Sequence, residues 1–228
     1  MRSICNPQMV LEGFPVEIFR NDLLTWWHAS KRRFPWRETT DPYKVLIAEI
    51  LLHRTKAEQV IPLYGKFLRH FPDVKTIAAS TPPDIQLLFY SAGLHWRWKY
   101  LHLMASEILT RFNGQIPHSY DDLIDLPGVS NYIATAVRCF SLEQQEAVLD
   151  TNTVRLASRL LDVPAKDSSR RSQLFRSILQ LLLDPQNPRE FNFAMLDFAA
   201  IVCRAKSPRH EKCSFRYYCR SYQGAVVR

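Results

Sequence analysis

Apolar residues recur along most of the chain at the three- and four-residue spacing of amphipathic helices. Asp41-Pro42 predicts a helix start, because Asp is a favoured N-cap and proline is preorganised for the first turn. No segment shows the sustained alternation of apolar and polar residues that is typical of paired strands. The sequence therefore predicts an all-α fold, with helices at 19–30, 42–52, 60–68, 83–90, 97–112, 119–125, 131–140, 152–162, 169–183 and 190–202 and an irregular stretch at 203–228.

Composition favours a folded protein with a polyanionic partner. Hydrophobic residues make up 46% of the 228 residues and aromatic residues 12%, which argues against disorder. The formal net charge of +8 suits a polyanionic partner, although many basic proteins bind nothing acidic. No apolar run approaches the roughly 20 residues of a membrane helix, and the first residues lack the apolar stretch of a signal peptide. We therefore expect a soluble cytoplasmic protein.

Three of the five cysteines lie close together near the C-terminus, whereas Cys5 and Cys139 stand alone. Clustered cysteines in a cytosolic protein indicate metal binding rather than disulfides. A histidine stands among them, in the pattern Cys203-x6-His210-x2-Cys213-x5-Cys219. Three cysteines with one histidine are a common zinc set, whereas iron–sulfur clusters usually have four thiolate ligands. The donor set by itself favours zinc.

A tight turn between two predicted helices is a candidate phosphate-binding element. Pro127 ends the first helix, Gly128 permits the turn, and Val129 anchors it in the core. The next helix would begin with free backbone N–H groups at the surface, and such an N-terminus attracts a phosphate. An ordinary corner between helices would have the same residues, so Leu126-Pro127-Gly128-Val129-Ser130 alone does not decide the function.

Asp150 is the first candidate catalytic residue. It follows an apolar pair and precedes a predicted helix, within Val148-Leu149-Asp150-Thr151-Asn152. Aspartate is a favoured N-cap, so a purely structural role would explain this position when it is taken alone. A carboxylate fixed at a helix start is also well oriented, so both roles are compatible.

In combination, these features resemble the helix-hairpin-helix DNA glycosylases, which include endonuclease III, MutY-type adenine glycosylases and Mig-type mismatch thymine glycosylases. The turn is followed by Tyr132 and then, 18 residues later, by Asp150. The resemblance spans about residues 20–220 and departs at Ser130, where the family usually has a second hairpin glycine. Its N-terminal part is carried by Phe34-Pro35-Trp36-Arg37, Asp41-Pro42-Tyr43, Glu49-Ile50-Leu51-Leu52 and Arg54-Thr55.

The resemblance implies that Asp150 is the catalytic aspartate. Breaking an N-glycosidic bond builds positive charge on the sugar, and a nearby carboxylate stabilises that charge or steers the attacking water. Endonuclease III has a lysine at the position of Tyr132, whose amine forms a Schiff base and cleaves the strand. Tyrosine has no such amine. We therefore expect a monofunctional glycosylase with Tyr132 in the base pocket, although a helix-surface aromatic is the plainer interpretation of Tyr132 alone.

Glu49 is a carboxylate on an apolar helical stripe with Val45 and Leu52. Desolvation there would raise its pKa, which suits an acid that protonates a departing base, although an ion pair with an arginine is the structural alternative. The resemblance favours the first role. It also places Arg54 and Thr55 near the flipped base or the opposite strand.

The family ends in four cysteines at the spacing found here, and they hold a [4Fe–4S] cluster. The resemblance therefore implies a [4Fe–4S] cluster with Cys203, His210, Cys213 and Cys219 as ligands, and zinc is the alternative. Its role would be structural, holding basic residues of the loop, among them Lys206 and Arg209, against DNA phosphates. A solvated basic segment is the ordinary alternative for such a charge run.

The resemblance implies a two-domain fold, with a six-helix barrel at 34–144 and a second helical domain formed by 1–33 and 145–228. A base must be flipped out of the duplex before a glycosylase reaches its sugar. The expected substrate is thymine or uracil opposite guanine in double-stranded DNA, bound by a monomer. Adenine removal in the MutY manner is the alternative, although MutY-type enzymes usually have serine at position 132. A DNA-binding module without catalysis is the third possibility.

Overall fold

A computed structural model describes residues 6–53, 55–89 and 97–226, and α-helices with short 3₁₀ turns are its only regular elements. The all-α prediction is confirmed for this part of the chain. None of its helices is long and apolar enough to cross a membrane. The helices are α1 (Pro7–Leu11), α2 (Val16–Ser30), α3 (Pro42–Leu52), α4 (Ala57–His70), α5 (Val74–Ala79), α6 (Pro82–Phe89), α7 (Arg97–Phe112), α8 (Tyr120–Asp125), α9 (Asn131–Leu142), α10 (Thr151–Leu161), α11 (Gln173–Leu182), α12 (Pro188–Ile201) and α13 (Arg220–Val226).

The sequence missed three short helices. Neither α1 nor α5 was predicted, and the stretch at 203–228 contains a 3₁₀ turn at His210–Lys212 and helix α13 instead of being wholly irregular. The helix predicted at 169–183 is divided, because a 3₁₀ turn at Asp167–Arg171 precedes α11. Helices of one or two turns have little intrinsic stability and form through tertiary contacts, so periodicity is a weak signal for them.

The chain folds into two compact units. The first, which we call the hairpin unit, comprises the described residues between 33 and 143. Within it α3 packs against α4 and α9, α5 against α7, and α8 against α9. The helix α3 is buried almost all round, from Tyr43 to Leu51, so it forms the core of this unit.

The second unit, which we call the terminal unit, joins the described residues up to 32 with those from 144 onward. Its helix α12 packs against α2 and α10. Its aromatic core brings the two chain ends together: the rings of Phe19 and Phe215 are 5.0 Å apart, and those of Phe198 and Phe215 are stacked at 4.2 Å. Because Phe215 is completely buried, the C-terminal segment is part of this core.

A buried carboxylate on α12 binds both α2 and the residue that follows its C-cap in the terminal unit. The carboxylate of Asp197 is fully buried and accepts hydrogen bonds from the Arg32 side chain (2.6 Å), the Arg32 backbone N–H (3.1 Å) and the Trp27 indole (3.1 Å). A buried charge is tolerated only where it is paired and hydrogen-bonded, and three donors meet that requirement here.

We expect Asp197→Ala to lower the free energy of unfolding by about 3 kcal/mol, because it leaves the Arg32 guanidinium and two further donors without their acceptor. Urea denaturation measures this change. Glu107→Ala is the control, since it removes a pair with Arg111 whose side chains are each about 40% exposed, and such a pair contributes at most about 1 kcal/mol. Equal effects of the two substitutions would contradict the importance of the buried pair.

Candidate active site

Asp150 is the N-cap of α10 and lies partly exposed at its start. Its Oδ1 accepts hydrogen bonds from the backbone N–H groups of Asn152 (2.8 Å) and Thr153 (2.7 Å). Its Oδ2 accepts a third bond, of 2.6 Å, from the Asn152 side-chain amide. The Thr153 hydroxyl accepts the Asp150 N–H at 3.0 Å and completes a capping box. Both carboxylate oxygens are therefore held in one orientation.

Asn152 and Arg155 extend this network toward the C-terminal segment. Asn152 accepts a hydrogen bond through its Oδ1 from Arg155 at 3.1 Å. The same guanidinium donates to the carbonyl oxygens of Ala199 (2.8 Å) and Cys203 (3.1 Å). Sequence reasoning missed Arg155, and its place one turn after Asn152 on the same helix is the only signal that could have found it.

Arg159, one turn further along α10, supports the chain just after Cys203. Its guanidinium donates to the carbonyl oxygens of Arg204 (2.7 Å) and Ala205 (3.1 Å), and lies 3.4 Å from the Cys203 sulfur. The Cys219 thiol donates to the Arg159 carbonyl oxygen at 3.4 Å. The helix that Asp150 caps therefore packs against the segment that contains the cysteines and binds its backbone.

The three C-terminal cysteines lie close enough to influence each other's ionisation. Burial raises the pKa of the Cys213 thiol to about 11, and the neighbouring Cys219 and Cys203 contribute to the rise. Burial and Cys203 also raise the pKa of Cys219. The His210 ring instead packs against Tyr222, with ring centroids 4.8 Å apart. Among the described residues, no three His, Cys, Asp or Glu side chains are arranged as a ready metal site.

The predicted hairpin lies between α8 and α9 in the hairpin unit. Leu126 and Val129 are buried, and the Val129 N–H donates to the Leu126 carbonyl oxygen at 3.1 Å. Gly128 has a φ of +82°, and a Cβ added there would lie 2.9 Å from the Tyr100 Cβ. Glycine is therefore required twice, by the backbone conformation and by the close approach of α7. Sequence reasoning missed Tyr100, which no motif indicates.

Ser130 stands where the family usually has a second glycine, and it acts as the N-cap of α9. Its hydroxyl accepts a hydrogen bond from the Ile133 N–H at 3.3 Å, and its φ of −95° needs no glycine. A serine N-cap stabilises the first turn of α9, which directly follows the hairpin turn. The departure from the family pattern is therefore compatible with an ordered hairpin.

Glu49 and Tyr132 lie on two helices that pack against each other in the hairpin unit. Glu49 is 4% exposed on α3, as the apolar stripe predicts, and Tyr132 is partly exposed in the first turn of α9. Thr55 follows α3 and its hydroxyl is buried, with no hydrogen-bond partner in the described part of the chain. Arg54 lies outside the described residues. Lys206 is exposed, and Arg209 precedes the 3₁₀ turn that begins at His210.

Residues 47–180 match the HhH-GPD superfamily of base excision DNA repair proteins. The chain belongs to this superfamily and is a DNA glycosylase, which confirms the resemblance found in the sequence. A DNA-binding module without catalysis is therefore set aside.

The chain is 34% identical to the thymine/uracil-DNA glycosylase of Pyrobaculum aerophilum over 212 residues, which are 90% of this chain and 91% of that protein. Its fold is similar to the structure of a thermostable thymine-DNA glycosylase, with a TM-score of 0.88, 29% identity and coverage of 94% of this chain and 99% of the other. It is 30% identical to the adenine DNA glycosylase of Buchnera aphidicola, over 90% of this chain but only 58% of that protein. These relatives favour the thymine branch over the MutY alternative.

We expect Gly128→Ala to lower the free energy of unfolding by at least about 2 kcal/mol, because alanine is strained at positive φ and its Cβ would collide with Tyr100. Urea denaturation measures the change. Gly114→Ala is the matched control: its φ is +79°, but the nearest atom to an added Cβ is 3.6 Å away. It should lose only about 1 kcal/mol. Equal losses in the two variants would mean that α7 moves aside without penalty.

Proposed function

We propose that this DNA glycosylase removes thymine or uracil opposite guanine, by hydrolysing the N-glycosidic bond and leaving an abasic site. The observation that carries the proposal is the orientation of Asp150, whose two carboxylate oxygens accept three hydrogen bonds at the start of α10. The choice of base is supported by the thymine/uracil-DNA glycosylase that is similar over 90% of the chain. Adenine removal is less favoured, since Tyr132 stands where MutY-type enzymes usually have serine.

Asp150 is the residue to which we assign the central step. Positive charge develops on the sugar as the bond to the base breaks, and an oriented carboxylate stabilises that charge or directs the water that attacks. Preorganisation matters because a group that is already oriented does not have to be reorganised during the reaction. Asn152 and Thr153 provide this orientation through their donors.

Glu49 and Tyr132 are assigned to the departing base. Burial of Glu49 disfavours a negative charge on it, which suits a carboxylic acid that gives its proton to the leaving base. Tyr132, in the first turn of α9, would contact the flipped base. A phenol cannot form a Schiff base with the sugar, so the enzyme would leave the strand intact.

DNA would be contacted by a monomer through backbone groups and basic side chains. The start of α9 carries the partial positive charge of a helix N-terminus, and Ser130, Gly128, Val129 and Leu126 form the turn that presents it to a phosphate. Lys206 and Arg209 would add contacts to phosphates. Arg54 and Thr55 would add contacts near the flipped base or the opposite strand. On this proposal the hairpin unit is the barrel domain, and the protein works on the nucleoid in the cytoplasm.

Excision is tested with labelled duplexes that contain G·T, G·U or adenine opposite 8-oxoguanine. We expect alkali to break the G·T and G·U strands after incubation and to leave the adenine strand intact. Asp150→Asn should abolish excision while DNA binding persists, because the amide preserves the shape but not the charge.

Three results would contradict parts of the proposal. Cleavage of none of the duplexes would refute the substrate assignment, and full activity of Asp150→Asn would refute the role of Asp150. Strand breaks before alkali would refute hydrolysis without lyase chemistry.

The C-terminal segment is the proposed metal centre, with Cys203, His210, Cys213 and Cys219 as ligands. The donor chemistry fits, because thiols and an imidazole are ligands of both zinc and iron–sulfur centres. Thiols whose pKa is raised by burial are protonated at neutral pH, so metal binding would release protons. We favour [4Fe–4S] for the loop spacing, with zinc as the alternative. The metal would supply a structural crosslink of the segment.

We expect the purified protein to be brown, to absorb visible light and to contain about four iron atoms per chain. Metal analysis and absorbance together test this. Cys219→Ala should lose the colour and unfold at lower temperature, whereas Cys139→Ala, which changes a buried cysteine outside the set, should keep it. A colourless protein with one zinc ion would establish zinc instead, and a protein with neither metal would refute the centre.

A further inference from the structure

The chain reaches Asp150 through a segment that lies in neither a helix nor a strand. This connecting segment, residues 144–149, belongs to the terminal unit and precedes the Asp150 cap of α10, and its Ala147, Val148 and Leu149 are buried. Buried backbone N–H and C=O groups need hydrogen-bond partners. Neither a strand nor a helix provides them here, and the N–H groups of Ala147 and Val148 are bound by side chains from elsewhere.

Two carboxamides provide these partners, one from each neighbouring helix. The Gln180 side chain on α11 accepts the Ala147 N–H at 3.0 Å and donates to the Gln145 carbonyl oxygen at 2.7 Å. The Asn192 side chain on α12 accepts the Val148 N–H at 2.9 Å and donates to the Glu146 carbonyl oxygen at 3.0 Å. Each amide therefore takes one N–H and one C=O two residues apart, as a neighbouring strand would.

The two amides engage successive residues, so together they specify the register of the segment. A shift by one residue would present each amide with the wrong backbone groups and break all four hydrogen bonds. The Thr153 hydroxyl adds a link at the far end, because it donates to the Val148 carbonyl oxygen at 3.1 Å and accepts the Asp150 N–H. The segment is thus attached at α11, α12 and α10, immediately before the aspartate.

We propose that Gln180 and Asn192 are positioning residues for base excision, which set the place of Asp150 by fixing the register of the connecting segment. The inference rests on the function proposed for Asp150. The cap orients the carboxylate relative to α10, whereas the two amides determine where that helix begins. A displacement of about 1 Å at a reacting group can reduce a rate by about 100-fold, so such an anchor affects the chemical step through the position of Asp150.

Gln180 and Asn192 differ in a way that makes the role testable. Asn192 is 2% exposed and also donates to the Pro188 carbonyl oxygen in its own helix, at 2.8 Å. Gln180 is exposed, so its replacement leaves the core intact. Gln180→Met keeps the length of the side chain and removes both hydrogen bonds, whereas Gln180→Glu keeps the acceptor for Ala147 and loses the donor.

The test is single-turnover excision from a G·U duplex with enzyme in excess, which gives a rate constant and a reactive fraction separately. We expect Gln180→Met and Asn192→Leu to lower the rate constant by about 10- to 100-fold. Their reactive fraction and their affinity for a duplex with a tetrahydrofuran abasic analogue should not change. The rate constant of Gln180→Glu should lie between those of Gln180→Met and the wild-type protein.

Ser158→Ala is the matched control, because it removes a side-chain hydrogen bond of 2.6 Å to the Val163 carbonyl oxygen near the other end of α10. It should lower the unfolding temperature and leave the rate constant unchanged. If Gln180 had a merely structural role, Gln180→Met would also lower the unfolding temperature and leave the rate constant unchanged. That result would overturn the proposal even if Asn192→Leu failed to fold.

Failure of the proposed function gives a different pattern. If the wild-type protein excises neither thymine nor uracil, the proposed substrate is wrong. The inference in its present form would then fail as well. If the wild-type protein is active and the Asp150→Asn variant has the same excision rate, the role of Asp150 is refuted. Only an active protein that depends on Asp150 but not on Gln180 refutes the positioning role alone.

Discussion

The hydrogen bonds that Asp150 accepts at the start of α10 connect the folding of the terminal unit to its proposed chemistry. A helix start has N–H groups without partners in the helix, and a carboxylate there satisfies two of them and is held in one orientation. The structural and the catalytic interpretation of this residue therefore describe the same contacts. Whatever displaces the first turn of α10 also displaces the carboxylate.

The surroundings of α10 explain how that first turn is held. On one side Arg155 and Arg159 bind backbone carbonyl groups at and after Cys203, so the C-terminal segment lies directly on this helix. On the other side the connecting segment is attached through the amides of α11 and α12. Phe215, between two of the proposed ligands, is buried in the aromatic core. A metal centre in that segment would thus stabilise the same core that supports Asp150.

The long amphipathic helices were predictable because their signal is local. The starts of α3 at Asp41-Pro42 and of α9 at Ser130 follow from capping preferences that act within one turn. The short α1, α5 and α13 were missed because distant contacts stabilise them: Arg220 donates to the Val10 and Glu12 carbonyl oxygens around the end of α1, for example. Contacts over such sequence distances leave no periodic trace.

The sequence by itself determined the class of the protein and its candidate residues, since the turn, Tyr132, Asp150 and the cysteine spacing are readable in order along the chain. Only the tertiary structure decided what supports them. Gly128 is required because α7 brings Tyr100 against it, and Asn192 bonds to residues more than forty positions away. Side-chain identity shows what a residue is able to do, but its partner is set by the packing of helices whose contacts are distant in sequence.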